Sequence, residues 1–332
     1  MRALAGLCVF WFAAAVCAED TPPVFTATAE MVVVDVQVIH NKNKIAAPAL
    51  REQDFQVFED GAPQEIAFLS RDELPLSVVL LFDLTATVRP VLRRLAGSAA
   101  AALAHLKPED EVAVMTYAAS AQLVGDFTTD RQKTMAAIVQ AAGRGSLEAA
   151  FFNEATYQAA FQLGKSSNPA SRRVVIWLTD NLADAPTEWM RAHLGKSVPK
   201  GELHTEAQAI RMLHESGVMV SPLLLKGPAW IMDYTLTKTF EGLAEISNPP
   251  GDVHKYAEVT GGRVFDLRGK QAVDQRLAEL IDQIRSRYTI GYRPAQPKTA
   301  GTYCKLRVSL APGVPLRPKE WSVLARAGYY RK

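Results

Sequence analysis

Cysteine is scarce in this sequence, which has three cysteines among its 332 residues. Two of them, Cys8 and Cys17, lie in an N-terminal stretch that predicts a secretory signal peptide: a positive charge at the second position, a long apolar run, and small residues before the expected cleavage site. We therefore expect residues 1–18 to be removed and the mature protein to be periplasmic or secreted. Cys304 would then be the only thiol left, which excludes an internal disulfide even in a compartment that permits one.

Long apolar runs are lacking after the signal peptide, and charge of neither sign dominates. A membrane-spanning helix needs about 20 apolar residues, so we expect no membrane span. The 37 basic and 35 acidic residues leave a formal net charge of +2. This balance gives no sign of the strongly basic surface that nucleic acid or an anionic membrane attracts. We expect neither as a partner.

Catalytic motifs are lacking as well. The sequence has no Gly-x-Ser-x-Gly elbow, no Gly-x-x-x-x-Gly-Lys phosphate loop and no His-Glu-x-x-His pair. Its six histidines are scattered, and His204 and His214 are too far apart to act as neighbouring ligands on a helix. Cys304 falls in a predicted strand with no nearby histidine to activate it, so we interpret it as a buried structural thiol. The sequence therefore favours a binding or structural role over an enzymatic one.

Both ends of the remaining chain show the alternating pattern of β-strands. In the N-terminal segment, residues 25–72, the predicted strands form a small meander: Met31–Val38, Phe55–Phe58 and Gln64–Phe68. The C-terminal segment, residues 271–332, predicts one helix and three strands: Gln271–Arg287, then Tyr288–Tyr292, Thr302–Leu310 and Ser322–Ala327. Two or three strands are marginal by themselves in water. We therefore predict that the two segments pack together as one small β-sandwich domain.

Residues 74–268 show a different pattern, in which predicted apolar strands alternate with predicted helices. The predicted strands are Leu76–Phe82, Val112–Tyr117, Val174–Leu178 and Val218–Leu225. The predicted helices are Val91–His105, Arg131–Ala142, Ala149–Leu163 and Thr205–Ser216. Strands that are apolar on both faces and alternate with helices predict an α/β fold, a doubly wound and mainly parallel sheet. Such sheets bind ligands at the carboxyl ends of their strands.

Polar residues follow two of these predicted strands. The first strand runs into Asp83, with Thr85 and Thr87 at alternate positions, and the third runs into Asp180. Carboxylate and hydroxyl oxygens suit a hard divalent cation, Mg²⁺ above all, with Mn²⁺ or Ca²⁺ as other candidates. The plainer alternatives are that Asp83 caps the following helix and that Asp180 belongs to a turn.

The pattern of Asp83, Thr85 and Thr87 with the later Asp180 resembles the metal-ion-dependent adhesion site of the von Willebrand factor A (VWA) domain, which has Asp-x-Ser-x-Ser followed by a Thr and an Asp. Thr in place of Ser keeps the oxygen and stiffens the side chain. The remaining ligand position stays open. Alignment from the glycines of the preceding loop gives Ser146, whereas alignment from the helix pattern gives Ala150, which has no ligand atom.

The flanking segments are similar to those of a group of secreted bacterial VWA-related proteins of acidobacterial type. The motifs that carry the similarity are Glu52–Gln64, Thr260–Phe265, Arg287–Tyr292 and Arg326–Tyr330. The resemblance implies a VWA domain over residues 74–268, with Asp83, Thr85, Thr87, Ser146 and Asp180 as metal ligands. It covers nearly the whole chain.

Two hypotheses on function follow. In the first, the protein is an adhesion or recognition module whose bound Mg²⁺ keeps one position open for an acidic side chain of a partner protein. In the second, it is a scaffold component of a cell-envelope assembly, with a degenerate site that holds no metal. The assignment of Ser146 or Ala150 separates the two.

Overall fold

The computed structural model describes most of the chain after the predicted signal peptide, which lies outside the described residues. The described ranges are 31–71, 74–85, 88–145, 150–181, 203–226, 252–268, 273–296, 298–317 and 319–331. Within them, no helix has the length and apolar character needed to cross a membrane.

The structure contains the predicted helices and strands of residues 74–268 in their predicted order. The strands are β1 (Val32–His40), β2 (Phe55–Glu59), β3 (Ala62–Gln64), β4 (Ile66–Ser70), β5 (Leu76–Asp83), β6 (Glu111–Tyr117), β7 (Ala121–Thr128), β8 (Arg172–Thr179), β9 (Val218–Lys226), β10 (Phe265–Arg268), β11 (Tyr288–Tyr292), β12 (Tyr303–Leu310), β13 (Trp321–Leu324) and β14 (Gly328–Tyr330). The helices are α1 (Arg89–Leu103), α2 (Arg131–Gly143), α3 (Phe152–Leu163), α4 (Glu206–Ser216), α5 (Val253–Thr260) and α6 (Val273–Arg285). To the predicted elements the structure adds β7, β10 and α5 within residues 74–268, and β14 near the C-terminus.

The central sheet has the strand order β10-β9-β8-β5-β6-β7. Its strands are parallel except for β7, which pairs antiparallel with β6 at one edge. One apolar core lies between the sheet and α1, α2 and α6, and a second lies between the opposite face and α3, α4 and α5. Strands β5 and β8 are mainly apolar because helices cover both of their faces. The predicted doubly wound α/β fold is confirmed.

The remaining strands form two antiparallel sheets, with the orders β13-β1-β11-β4 and β14-β12-β2-β3. Their inner faces share one core, which includes Val34, Val36, Tyr292, Cys304 and Leu306. Each sheet combines strands from both ends of the chain, as predicted, and Cys304 is buried within the core. The domain boundaries themselves stay predictions.

The predicted N-terminal meander is wrong. Of the strands from that segment, β1 and β4 both pair with β11 in one sheet, whereas β2 and β3 pair with each other in the other sheet. The third strand of the prediction is split at Glu65 between β3 and β4. The physical reason is that the apolar side chains of β1 and β4 are covered by strands from the far end of the chain, which a local pattern does not reveal.

The first strand, β1, joins the two domains through its two faces. Val34 and Val36 point into the core of the sandwich, whereas the alternate residues face the α/β domain. Gln37 is buried, and its Nε2 donates to the carbonyl of Gln283, 3.0 Å away. Nε of Arg172 lies 3.0 Å from Oδ1 of Asp35, and Nη1 of Arg172 donates to the Ile284 carbonyl at 2.6 Å.

Arg287 is a second buried cation at this seam. Its guanidinium donates to the carbonyls of Gly261 and Leu324 and to Oε1 of Gln37. Burial lowers the pKa of Arg287 to about 10, with Asp35 acting in the opposite direction, so the side chain stays charged at neutral pH. A buried charge of this kind is tolerated only where hydrogen bonds surround it. These bonds hold the sandwich in one position on the α/β domain.

We predict that Gly261→Ala strongly destabilises the protein. Gly261 has φ +75°, and an added Cβ would lie 2.5 Å from backbone atoms of Ala325 and Arg326. The substitution therefore strains the backbone at residue 261 and forces the two domains apart at this contact. We expect a loss of about 3 kcal/mol in the free energy of unfolding, measured by urea denaturation.

The matched control for this prediction is Gly217→Ala. Gly217 also ends a helix with positive φ, +63°, but its nearest neighbour would lie 3.9 Å from the new Cβ. We expect a loss of about 1 kcal/mol from strain at this position. Equal losses in the two variants would show that Gly261 does not maintain the contact between the domains.

Candidate metal site

The two predicted carboxylates lie at the ends of neighbouring strands. β5 and β8 pair in parallel with Phe82 opposite Leu178, so Asp83, the last residue of β5, lies beside Thr179, and Asp180 comes directly after Thr179. The side chain of Asp83 is wholly buried, at 0% exposure, and Asp180 is 5% exposed. Two buried acids thus lie at the carboxyl ends of the two central strands.

Four groups hold the Asp83 carboxylate. Oδ1 accepts from the backbone N–H of Thr85 at 2.8 Å, and the Thr85 side chain also hydrogen-bonds to Asp83. Oδ2 accepts from the hydroxyls of Tyr117, at 3.0 Å, and of Thr179, at 3.2 Å. The carboxylate is therefore fixed in orientation by both neighbouring strands and by its own loop.

The alternative that Asp83 caps the following helix is wrong. Helix α1 begins at Arg89, and the capping position is Val88, which makes no side-chain cap. The alternative of a turn at Asp180 is consistent with the backbone, because Asn181 has φ +59°, a conformation that asparagine tolerates in turns. The Asn181 side chain accepts from the backbone N–H of Val253 and so connects this loop to the start of α5.

Burial and like charge dominate the electrostatics of the site. Burial raises the pKa of Asp83 to about 6, and the neighbouring charge of Asp180 adds to the rise, while the hydrogen bonds from Thr85 and Tyr117 act against it. Burial, together with the charge of Asp83, also raises the pKa of Tyr117 well above 10, so its hydroxyl remains a donor. Two buried carboxylates that repel each other form a donor set that fits a divalent cation.

An aromatic cluster packs next to the site. Trp177 on β8 contacts Tyr117, Phe152 and Tyr256, with ring centroids 6.0, 5.0 and 6.0 Å away, all edge to face. Its Nε1 donates to the Tyr117 hydroxyl at 2.9 Å. Trp177 is therefore a packing residue. It also fixes the hydroxyl that holds Asp83.

Sequence reasoning missed Tyr117 and Thr179. Tyr117 ends β6, the other neighbour of β5, and Thr179 ends β8, so both belong to the same row of strand ends as Asp83. The available signal was their position: Tyr117 is the last residue of a predicted strand and Thr179 directly follows one, and in a doubly wound sheet the strand ends mark the edge where ligands bind.

The structure leaves the remaining ligand positions as predictions. Thr87 and Ser146 both lie outside the described residues. Ala150 is described: its side chain is 7% exposed and belongs to the core that also contains Phe152 and Trp177. Helix α3 begins at Phe152 rather than at the predicted Ala149. If Ala150 takes the third position of the pattern, that position contributes a methyl group and no oxygen.

A second group of metal-ligand atoms occurs in the sandwich. Glu59, Asp60 and Cys304 place one such atom each within 4.8 Å of one another. Lys298 already supplies a cation there, since its Nζ donates to Glu59 at 2.9 Å and to Asp60 and lies 3.6 Å from the Cys304 sulfur. Burial alone would raise the pKa of Glu59, but the bonds from Lys298 and from two tyrosine hydroxyls lower it overall. We interpret this group as an internal ion pair.

Comparisons with known proteins give structural likeness only. No family model matches the chain, and no curated protein matches it either. Among solved structures, the von Willebrand factor type A protein from Catenulispora acidiphila is 12% identical, with 91% of this chain and 75% of that chain covered and a TM-score of 0.41. Two further structures are similar at the same level.

The conserved hypothetical protein BatB from Bacteroides thetaiotaomicron is 12% identical, with 63% of this chain and 98% of that chain covered and a TM-score of 0.41. The PilB minor pilin from Streptococcus sanguinis is 11% identical, with 65% and 63% covered and a TM-score of 0.44. One of these three neighbours is named for the von Willebrand factor A domain, but likeness at this level supports no conclusion about function.

We predict that acidification stabilises the metal-free protein through Asp83. In the folded state its pKa is about 6, against an ordinary value of 3.8, so between these values the folded chain binds a proton that the unfolded chain does not. This contribution is complete below about pH 4 and is lost as the pH rises through 6. The free energy of unfolding in EDTA should therefore change by about 1 to 2 kcal/mol between pH 7.5 and 5 because of this group.

The comparison variant is Asp83→Asn, which cannot take up the proton and should lack this part of the pH dependence. Denaturation of both proteins at the same pH values separates Asp83 from all other titrating groups. Parallel profiles for the wild type and the variant would contradict the prediction.

Proposed function

We propose that this protein is an exported, metal-dependent protein-binding module of the VWA type. Mg²⁺, or Mn²⁺ or Ca²⁺ in its place, would be held by Asp83, Thr85 and Asp180 together with Thr87 and Ser146. An open coordination position would accept a carboxylate from an acidic side chain of the partner. The observation that carries the proposal is the burial of Asp83 and Asp180 side by side at the carboxyl edge of the parallel sheet.

Two features of the site support binding rather than turnover. Tyr117 and Thr179, the side chains from neighbouring strands that contact Asp83, are hydroxyl donors, which hold an anion and do not remove a proton at neutral pH. The aromatic cluster below the carboxylates is tightly packed, so a bound cation would be reached from the loop side. A rigid, preorganised anchor of this kind suits the centre of a protein interface.

A scaffold with a metal-free site is the second candidate, and one observation favours it. Ala150 lies in the apolar core just before α3, and its assignment as the third ligand position would leave the site incomplete. The acids at the strand ends would then be structural. The two candidates differ in whether a divalent ion binds at all.

Titration calorimetry of Mg²⁺ and Mn²⁺ into the mature protein tests the proposal. We expect saturable binding of one ion per chain, which Asp83→Ala abolishes because it removes the best-held carboxylate. Asp126→Ala is the matched control, since Asp126 is exposed on β7, and it should bind as the wild type does. No saturable heat with either ion in the wild type would overturn the metal-dependent proposal and favour the scaffold.

The third ligand is tested in the same assay with Ser146→Ala. We expect clearly weaker binding, because the loss of a hydroxyl removes one oxygen from the coordination shell. Ala150→Ser serves as the comparison: unchanged binding there, with loss in the Ser146 variant, assigns the position to Ser146. Unchanged binding in Ser146→Ala would remove this residue from the site.

A further inference from the structure

A cleft of about 400 Å³ lies at the contact between the two domains, far from Asp83 and Asp180. The α/β domain contributes the loop before β8 and the end of α4, and the sandwich contributes the start of β1 and the last strand, β14. Seven residues of extended chain separate Arg173, which lines the cleft, from Asp180, so the cleft lies roughly 23 Å from the candidate metal site. Its volume falls in the range of small-molecule sites.

Two guanidinium groups that line the cleft have no acidic partner. Among the described residues, neither Arg173 nor Arg326 forms an ion pair, and the buried Nε of each has no hydrogen-bond partner. Two acids also line the cleft: Asp35 pairs with Arg172 at 3.0 Å and acts electrostatically on Arg326, and Glu215 pairs with Arg211 at 2.7 Å. Because Arg172, Arg173 and Arg326 all line the cleft, its lining carries more positive than negative charge.

Both groups are held in place by backbone carbonyls. Nη1 of Arg173 donates to the Ser216 carbonyl at 3.1 Å, and Nη2 of Arg326 donates to the Val33 carbonyl at 2.7 Å. The backbone thus fixes each guanidinium through one nitrogen. Burial lowers the pKa of Arg326, so an anion placed beside it would offset the cost of desolvation.

Part of the remaining wall of the cleft is apolar. Met31 and Val33 are 39% and 45% exposed, although most large apolar side chains of the protein are buried. They share the cleft with Leu74, Pro169 and Ala170. His214 also lines it, but burial and the charge of Arg326 lower the pKa of His214, so at neutral pH it adds no charge.

We propose that this cleft binds a small apolar monocarboxylate. The guanidinium groups of Arg173 and Arg326 hold the acid group, a geometry to which arginine is well suited, and the apolar body packs against Met31, Val33 and Leu74. The site goes beyond the metal-dependent function, because its residues lie at the other end of the sheet. A ligand in the cleft touches both domains and so stabilises their contact.

The charge arrangement distinguishes this ligand from other anions. A bare inorganic phosphate would satisfy the two arginines but would leave the apolar wall exposed. A neutral apolar molecule would cover the wall and leave two partly buried charges without an anion. Only a molecule with both features satisfies the whole lining, and this sets the choice of probes.

The test uses hexanoate and N-acetyl-leucine as probes, with hexanamide and N-acetyl-leucinamide as their neutral counterparts and inorganic phosphate as the bare anion. All titrations are made on the mature protein in EDTA, so that the metal site does not contribute. We expect at least one of the acids to bind saturably by calorimetry and to raise the Tm by about 3 °C at ten times its Kd, since it binds only the folded protein. The amides and phosphate should bind at least about tenfold more weakly.

Arg173→Gln should weaken the affinity for the acid at least about tenfold, because it removes one charge-assisted hydrogen bond. Arg326→Gln should do the same, and Arg326→Lys, which keeps the charge, shows whether any loss comes from misfolding. Arg317→Gln is the matched control, because Arg317 is exposed on the sandwich and pairs with Glu320. Three results would each overturn the proposal. The first is that neither acid binds, and the second is that an amide or phosphate binds as tightly as the acid. The third is that Arg317→Gln weakens binding of the acid as much as the cleft variants do.

Discussion

The parallel pairing of β5 with β8 is the constraint on which the rest of the structure depends. Both strands lie in the middle of the six-stranded sheet with helices on either side, so nearly every side chain on them is buried. At the carboxyl end this pairing places Asp83 beside Thr179 and Asp180. At the other end it places Arg172 and Arg173 against the sandwich. Strand β8 thus begins with two bases at one edge of the domain and is followed by an acid at the opposite edge.

The sandwich is fixed to this sheet by polar contacts as much as by apolar ones. β1 buries alternate valines in the sandwich core and turns Asp35 and Gln37 toward the α/β domain. The buried guanidinium groups of Arg172 and Arg287 are neutralised or hydrogen-bonded by β1 and by backbone carbonyls of both domains. Charges buried in this way tolerate little displacement, so the relative position of the domains is specific and the cleft beside Arg173 has a defined shape.

Sequence reasoning was reliable where a pattern is local. The mainly apolar runs of β5 and β8 predicted a covered parallel sheet, which the structure has. That the acids at their ends share a metal ion stays a prediction. It failed where the outcome depends on distant partners. The pairing of β4 with β11 is such a case, and so is β7, whose mixed composition, from Ala121 to Thr128, suits an edge strand but is not distinctive. The start of α3 at Phe152 was displaced by three residues, which is enough to leave the choice between Ser146 and Ala150 undecided.

The energetics of the strand-end carboxylates argue for a cation. A shift in the pKa of Asp83 from 3.8 to about 6 corresponds to roughly 3 kcal/mol of unfavourable interaction for the ionised form. This is a considerable part of the stability of a typical domain. Three hydrogen-bond donors, from Thr85, Tyr117 and Thr179, nevertheless hold the group in its charged orientation. In the metal-dependent function that we propose, a cation bound by Asp83 and Asp180 would offset this cost.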